Sequence, residues 1–206
     1  MLFDLDGTLV HTDYRHREIV VGNTLAGFGK SASHEDIDKF WFEGGRDKII
    51  KDVFGVNPSE FWDIYRNFDT VSLRKKYTRP YDDTNSIVWL RNRGYKTGIV
   101  TSAPLEMSEL ESKMIGKDLF DCIIVAHIDN GFQPKPSPQG IYECLEKLGV
   151  GKKDAFFVGN SDEDVYASRN AGVIDIFVDR GEHKFADLYP TIVIESLDLL
   201  KYIVRL

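Results

Sequence analysis

Short apolar runs alternate with amphipathic stretches along the second part of the chain. Tyr95–Val100, Cys122–Val125, Ala155–Val158, Val173–Val178 and Ile192–Ile194 are brief, apolar and bounded by polar or glycine positions. They read as buried strands. Between them, Ile141, Cys144, Leu145 and Leu148 recur at helical spacing within Pro138–Leu148. A further strand, Leu2–Leu5, is expected at the very start. Strand–helix alternation of this kind predicts an α/β fold with a mostly parallel, doubly wound sheet and right-handed crossovers.

Residues 13–79 break that rhythm. His16–Phe28, Ala32–Phe42, Arg46–Phe54 and Ser59–Tyr77 all read as helices, separated by Gly27/Gly29, Gly44-Gly45 and Gly55…Pro58. No strand is expected there. The stretch is read as an inserted helical lobe, with the core formed by residues 1–12 and 80–206. The lobe's aromatics, among them Phe40, Trp41, Phe54, Phe61, Trp62 and Tyr65, are expected to be its own packing.

Composition narrows the class. With 206 residues, 42% hydrophobic and 29% charged, the chain suits one domain or a core with a smaller lobe. A net charge of -7 argues against a nucleic-acid binder, whose affinity rests on a basic surface. No apolar run reaches the ~18 residues of a membrane span, and no signal peptide is read at Met1-Leu2-Phe3. Cys122 and Cys144 sit in apolar contexts without metal-ligand spacing and are expected to be buried thiols of a reducing cytoplasm.

Four places carry candidate chemistry, each following or flanking a predicted strand end, the edge where open α/β sheets bind ligands. Asp4 and Asp6 close the first strand; side chains at i and i+2 share a side. One carboxylate can attack an electrophile while the other handles a proton, and together they can anchor a divalent cation. Thr101 and Ser102 follow the second strand, where hydroxyls and free N–H groups can hold a phosphate; Ser102 also suits a helix cap. Lys135 lies among prolines in Gln133-Pro134-Lys135-Pro136-Ser137-Pro138. Gly159-Asn160-Ser161-Asp162-Glu163-Asp164 opens a helix with acids suited to its dipole.

Taken together, these motifs resemble those of the haloacid dehalogenase-like superfamily. Asp4-Leu5-Asp6-Gly7-Thr8 is similar to its first motif, Thr101-Ser102 to the second, Lys135 in K-P-x-P to the third, and Gly159–Asp164 to the fourth. The resemblance covers the whole chain and implies a Rossmann-like core with residues 13–79 as a helical cap. It further implies a phosphatase acting on a small phosphorylated metabolite. Asp4 would be the nucleophile and Asp6 the general acid and base. Thr101 and Ser102 would hold phosphate, and Lys135 would neutralise charge. Mg2+ would lie on Asp4, the Asp6 carbonyl, Asn160 and Asp164. An acid at position 6 favours phosphoryl transfer over dehalogenation, because a departing halide needs no proton. The substrate contacts implied on the cap are Arg46 and Lys48, in Glu43-Gly44-Gly45-Arg46-Asp47-Lys48, and His16 near the hinge. His11 is given no role. The hinge segments are expected near Val10–Tyr14 and Tyr77–Asp82. A monomer or homodimer is expected.

Two departures from the pattern stand out. Asn160 replaces the commonest metal-ligating aspartate. Asn160 then ligates weakly with Asp164 supplying charge, which is the preferred reading, or Asp162 takes over, or metal affinity and activity fall. The first strand is also short. A phosphosugar mutase and a non-catalytic ligand-binding member of the superfamily are the alternative readings.

Overall fold

The structure, a computed structural model, describes residues 1–204. The chain divides into two compact units, one formed by Met1–His11 with the chain from Arg79 onward and the other by Thr12–Thr78. Eight strands occur among the described residues: β1 Leu2–Phe3, β2 Val10–Thr12, β3 Thr78–Pro80, β4 Gly98–Thr101, β5 Cys122–Val125, β6 Phe156–Gly159, β7 Ile174–Val178 and β8 Ile192–Ile194. Six of them form one parallel sheet in the order β5-β4-β1-β6-β7-β8. Counted along the chain, that order is third, second, first, fourth, fifth, sixth. The winding therefore reverses at β1, the switch point outside which doubly wound sheets bind ligands.

Alternation along the strands divides the sheet's two faces. Leu2, Val100, Cys122, Ile124 and Phe157 join one apolar cluster with Ile141, Cys144, Leu145 and Ala167. Their neighbours Phe3, Ile99 and Val158 join the other, with Ile87, Leu90, Leu197 and Leu200. A one-residue slip would exchange the faces, so burial on both sides fixes the register. Cys122 and Cys144 are free, buried thiols, and burial pushes both thiol pKa values up.

Several strand ends differ from expectation, each for a local reason. The strand expected over Leu2–Leu5 ends at Phe3. Asp4 still donates its N–H to the Val158 carbonyl at 2.8 Å, but the Leu5 carbonyl is taken by the N–H groups of Leu9 (2.9 Å) and Val10 (3.1 Å). The turn thus claims what the ladder would have used. β4 begins at Gly98 rather than Tyr95. The Tyr95 N–H goes back to Leu90 (3.2 Å) and the Thr97 N–H to the Asp121 carboxylate (2.9 Å). The short strands β2 and β3, where none was expected, pair with each other.

The Thr12–Thr78 unit holds five helices: α1 Tyr14–Ala26, α2 His34–Phe42, α3 Arg46–Asp52, α4 Pro58–Phe68 and α5 Val71–Tyr77. Side-chain caps start four of them: Asp13 for α1, Ser33 for α2, Asn57 for α4 and Thr70 for α5. The single helix expected over Ser59–Tyr77 is therefore two. Thr70 caps the second, and Asp69 leaves helical geometry to reach Arg74. Phe40 centres an aromatic cluster, 5.4 to 5.9 Å from Phe54, Phe61, Trp62 and Tyr65. In the other unit follow α6 Asn85–Arg91, α7 Leu105–Ile115, α8 Gln139–Leu148, α9 Asp162–Ala171 and α10 Leu200–Ile203. Among the described residues no helix is long and apolar enough to cross a membrane.

One buried polar cluster in the helical unit is held by charge. Asp69 accepts from Arg74 Nε at 3.1 Å and Nη2 at 3.2 Å, and His16 Nε2 lies 3.3 Å from the same carboxylate. Burial works to raise the Asp69 pKa, but Arg74 and His16 overcome it and hold the carboxyl well below its usual range. Asp69→Ala would leave Arg74 buried without this partner and cost about 3–5 kcal/mol. Urea denaturation measures the cost; a loss below about 1 kcal/mol would show that the pair contributes no more than a surface ion pair.

Candidate active site

Asp4 stands at the end of β1, between β4 and β6, and is buried. The turn that follows depends on Gly7. Its φ of +80° lies in the left-handed region, and a Cβ there would come within 2.2 Å of the Asn160 amide. Both constraints exclude a side chain. The turn brings Thr8 Oγ1 to 3.0 Å from Asp4 Oδ2 and 3.1 Å from Asn160 Oδ1. A hydroxyl has one proton, so two acceptor oxygens converge on a single donor.

Lys135 reaches the same place from the loop before α8. Its ammonium lies 2.5 Å from Asp4 Oδ1 and 2.5 Å from Asp164 Oδ1, with all three side chains buried. Asp164 is fixed in turn at the start of α9. Its Oδ2 accepts from the N–H groups of Asn160 (3.1 Å) and Ser161 (3.0 Å) and from Ser161 Oγ (2.7 Å), closing a capping box. Gly159 makes room for this carboxylate, since a Cβ would lie 2.3 Å from Asp164 Cγ.

Thr101 ends β4 and is buried; its Oγ1 accepts from the Ala103 N–H at 3.1 Å. Ser102 does not cap the next helix. Helix α7 starts at Leu105, with Pro104 at its cap position and no side-chain cap. The Ser102 hydroxyl instead accepts the Lys135 backbone N–H at 3.0 Å, tying the second motif to the third.

One ammonium between two carboxylates leaves a net negative charge in a buried place. Burial pushes the Asp4 carboxyl up to about 7, with Lys135 opposing the rise and Asp164 adding to it. Burial also works against the Lys135 ammonium, but the two carboxylates overcome it and hold its pKa above the ordinary range. The excess negative charge, with Asp4 Oδ2 and Asn160 Oδ1 sharing one proton, fits a hard cation with oxygen ligands. Among the described residues no group of three or more His, Cys, Asp or Glu side chains is arranged to hold a metal. A cation here would rely partly on neutral oxygens. Asp164 has both oxygens committed, to Lys135 and to the start of α9.

Asp4, Thr101, Ser102, Lys135, Asn160 and Asp164 are thus linked around one sheet edge. Asp6 lies two residues beyond Asp4, half-buried and bridged to Val10. The three residues of the helical unit have partners within that unit. His16 has no exposed surface and packs against Asp69, Trp41 (5.5 Å between rings) and Tyr77 (6.4 Å). Arg46 donates to the carbonyls of Phe40 (3.2 Å) and Trp41 (3.3 Å), and Lys48 pairs with Asp52 one turn on. Sequence reasoning passed over Thr8, although its hydroxyl sits between the nucleophile candidate and Asn160; its place directly after Gly7 in the first motif was the available signal.

The family model for haloacid dehalogenase-like hydrolases matches residues 1–178. The chain belongs to that family. It is similar to pyrophosphatase PpaX of Bacillus mycoides (strain KBAB4), 27% identical over 217 residues covering 100% of this chain and 97% of the relative. It is also similar to phosphoglycolate phosphatase of Aquifex aeolicus (strain VF5), 28% identical over 181 residues covering 84% and 80%. Among solved structures it resembles a haloacid dehalogenase-type phosphatase from Thermococcus onnurineus, with a TM-score of 0.69, 26% identity, and 98% and 96% of the two chains covered.

The raised Asp4 pKa has a sign. The folded protein holds that proton more tightly than the unfolded chain does. Its contribution to stability is therefore present below the unfolded value of 3.8 and lost as pH rises toward 7. Asp4→Asn removes the titration. In metal-free buffer the variant's melting temperature, relative to the parent's, should rise between about pH 4 and about pH 7 and level off above that. A difference that stays flat across that range would mean Asp4 ionises normally.

Proposed function

We propose that the chain is a Mg2+-dependent, cytoplasmic phosphatase that hydrolyses a small phosphate monoester through a phosphorylated Asp4. The observation that carries this reading is the buried set of Asp4, Lys135 and Asp164 at the switch point of the sheet. A carboxylate there is oriented by a fixed ammonium on one oxygen and by a hydroxyl on the other.

The chemistry balances with the residues at hand. A carboxylate oxygen of Asp4 attacks phosphorus, and the bond from phosphorus to the departing alcohol oxygen breaks as Asp6 gives that oxygen its proton. Water then attacks the aspartyl phosphate and loses its proton to Asp6, releasing phosphate and restoring both carboxyl groups. Thr101, Ser102 and the N–H groups after β4 hold phosphoryl oxygens. The Ser102 oxygen accepts from the Lys135 backbone, which leaves its own proton to donate. Lys135 balances charge on Asp4 and the phosphoryl group, and Asp164 keeps the ammonium in place. Asp4, the Asp6 carbonyl and Asn160 would hold Mg2+, which when bound lowers the charge that an anionic nucleophile meets at an anionic ester.

Candidate substrates are drawn from chemistry and relatives together. Phosphoglycolate, sugar phosphates and nucleoside monophosphates are small monoesters, and pyrophosphate enters because a relative is named for it.

Release of phosphate from an aryl phosphate and from these candidates, with and without Mg2+, tests the reading. Turnover should need the cation and vanish in Asp4→Asn, while Asp6→Asn should lose roughly 10²- to 10⁴-fold, the usual contribution of a general acid–base group. Metal-dependent turnover that survives Asp4→Asn would remove the covalent mechanism.

Asn160 is tested separately. Asn160→Asp adds a carboxylate beside Thr8 and should lower the Mg2+ concentration needed for half-maximal activity by at least about tenfold, since even at water-like dielectric a unit charge pair contributes ~1 kcal/mol and the cation carries two charges. Cation binding in Asn160→Asp that is no tighter than in the parent would place the cation elsewhere. Ligand binding without turnover in the parent, with turnover gained in Asn160→Asp, would instead identify a binding protein on this fold.

A further inference from the structure

Arg180 follows β7 and has no place in the four motifs. Its side chain is nonetheless 8% exposed, and both of its terminal nitrogens are hydrogen-bonded. Nη1 donates to Asp83 Oδ2 at 2.7 Å and Nη2 to Asp83 Oδ1 at 3.1 Å, a bidentate fork. The guanidinium lies 3.8 Å from the centre of the Tyr81 ring. Nη2 also donates to the backbone carbonyl of Thr8 at 2.6 Å. Asp83 is itself anchored by the Leu197 N–H at 2.8 Å and Ser196 Oγ at 3.0 Å. Tyr81 donates to Glu182 at 3.1 Å, and Glu182 pairs with His11 at 2.8 Å.

Thr8 is where this cluster meets the chemistry. Its carbonyl takes the Arg180 bond, and its hydroxyl lies 3.0 Å from Asp4 Oδ2. A planar guanidinium clamped on one edge by a carboxylate and on one face by a ring has a fixed direction. A guanidinium has five N–H donors, so one already paired with a carboxylate can still hold a backbone carbonyl in place. We infer that Arg180 is a positioning residue: by holding the Thr8 carbonyl it sets the turn after Asp4, and through the Thr8 hydroxyl it orients the Asp4 carboxylate. The assignment rests on Asp4 being the nucleophile, but its structural half does not.

Two measurements test the two halves. The first is amide hydrogen exchange of the full-length protein. Arg180→Gln should cost protection at Leu9 and Val10, whose N–H groups close the turn on the Leu5 carbonyl. Protection at Ile99 and Val100 in β4 should stay unchanged. Arg180→Lys, which keeps the charge on a single donating nitrogen, should lose less. Equal protection at Leu9 and Val10 in Arg180→Gln and parent, or a uniform loss across the core, would overturn the assignment whether or not the protein turns over any ester. The second is a double-mutant cycle on kcat with an aryl phosphate. Arg180→Gln and Thr8→Val should each lower kcat on the order of 10- to 100-fold with KM little changed. The double variant should be no worse than Thr8→Val alone. Losses that multiply would mean Arg180 does not act through Thr8. An inactive parent would count against the phosphatase reading, and exchange would still decide the role of Arg180.

Discussion

The Lys135 ammonium, shared by Asp4 and Asp164, is the interaction around which the rest is arranged. It joins residues 131 apart in one direction and 29 apart in the other. Taking three charges out of water is expensive, and a hydrophobic replacement of similar volume is often no less stable. Stability alone is thus a weak reason for such a group. What it supplies is direction: a carboxylate at the end of a central strand, with each oxygen assigned a partner. The uncompensated negative charge is the other result. Burial, opposed by Lys135 and reinforced by Asp164, raises the Asp4 carboxyl toward neutrality, so the site resists ionisation at the residue proposed as the nucleophile.

The backbone makes that arrangement possible by coming unusually close to side chains. At Gly7 and Gly159 a single methyl group would collide with Asn160 or with Asp164. The first strand is only two residues long, yet it is hydrogen-bonded on both sides, by β4 and by β6, and Phe3 is fully buried. A short strand in the middle of a sheet is braced more firmly than a longer one at an edge. The platform for Asp4 is therefore set by its neighbours rather than by its own length.

Much of this was legible in the chain. Alternating apolar runs imply a parallel α/β sheet because buried strands need helices on both faces, and the positions after those runs imply the sheet edge that binds ligands. The first and third motifs marked Asp4 and Lys135, and the fourth marked Asp164. What was not legible depended on competition for hydrogen bonds. The Leu5 carbonyl serves the turn rather than the strand, and Thr70 caps a new helix where the apolar pattern runs on unbroken. The role of Ser102 depended on where α7 begins, which Pro104 delays. His16 sits at a position suggestive of ligand contact, but Asp69 and Trp41 enclose it within its own unit. Arg180 lies 172 residues from Thr8, and no local pattern announces a bond to a main-chain carbonyl.

The substitution at 160 is best understood through charge rather than through geometry. An aspartate there would bring a third carboxylate to a place where Asp4 and Asp164 already outnumber the lone ammonium. In the absence of a cation it would deepen the excess and raise Asp4 further. Asparagine keeps an oxygen facing the Thr8 hydroxyl while adding no charge. Its Oδ1 and Asp4 Oδ2 compete for the Thr8 proton, which marks that corner as short of positive charge without making it strongly attractive. On the proposed reading, a neutral side chain in this position weakens cation binding and lessens the repulsion among the carboxylates. The same residue also closes against Gly7, where its amide fills the space a Cβ would need. Charge and packing at position 160 are thus coupled through the turn that carries Thr8, and a change in one is felt at the nucleophile by way of the other.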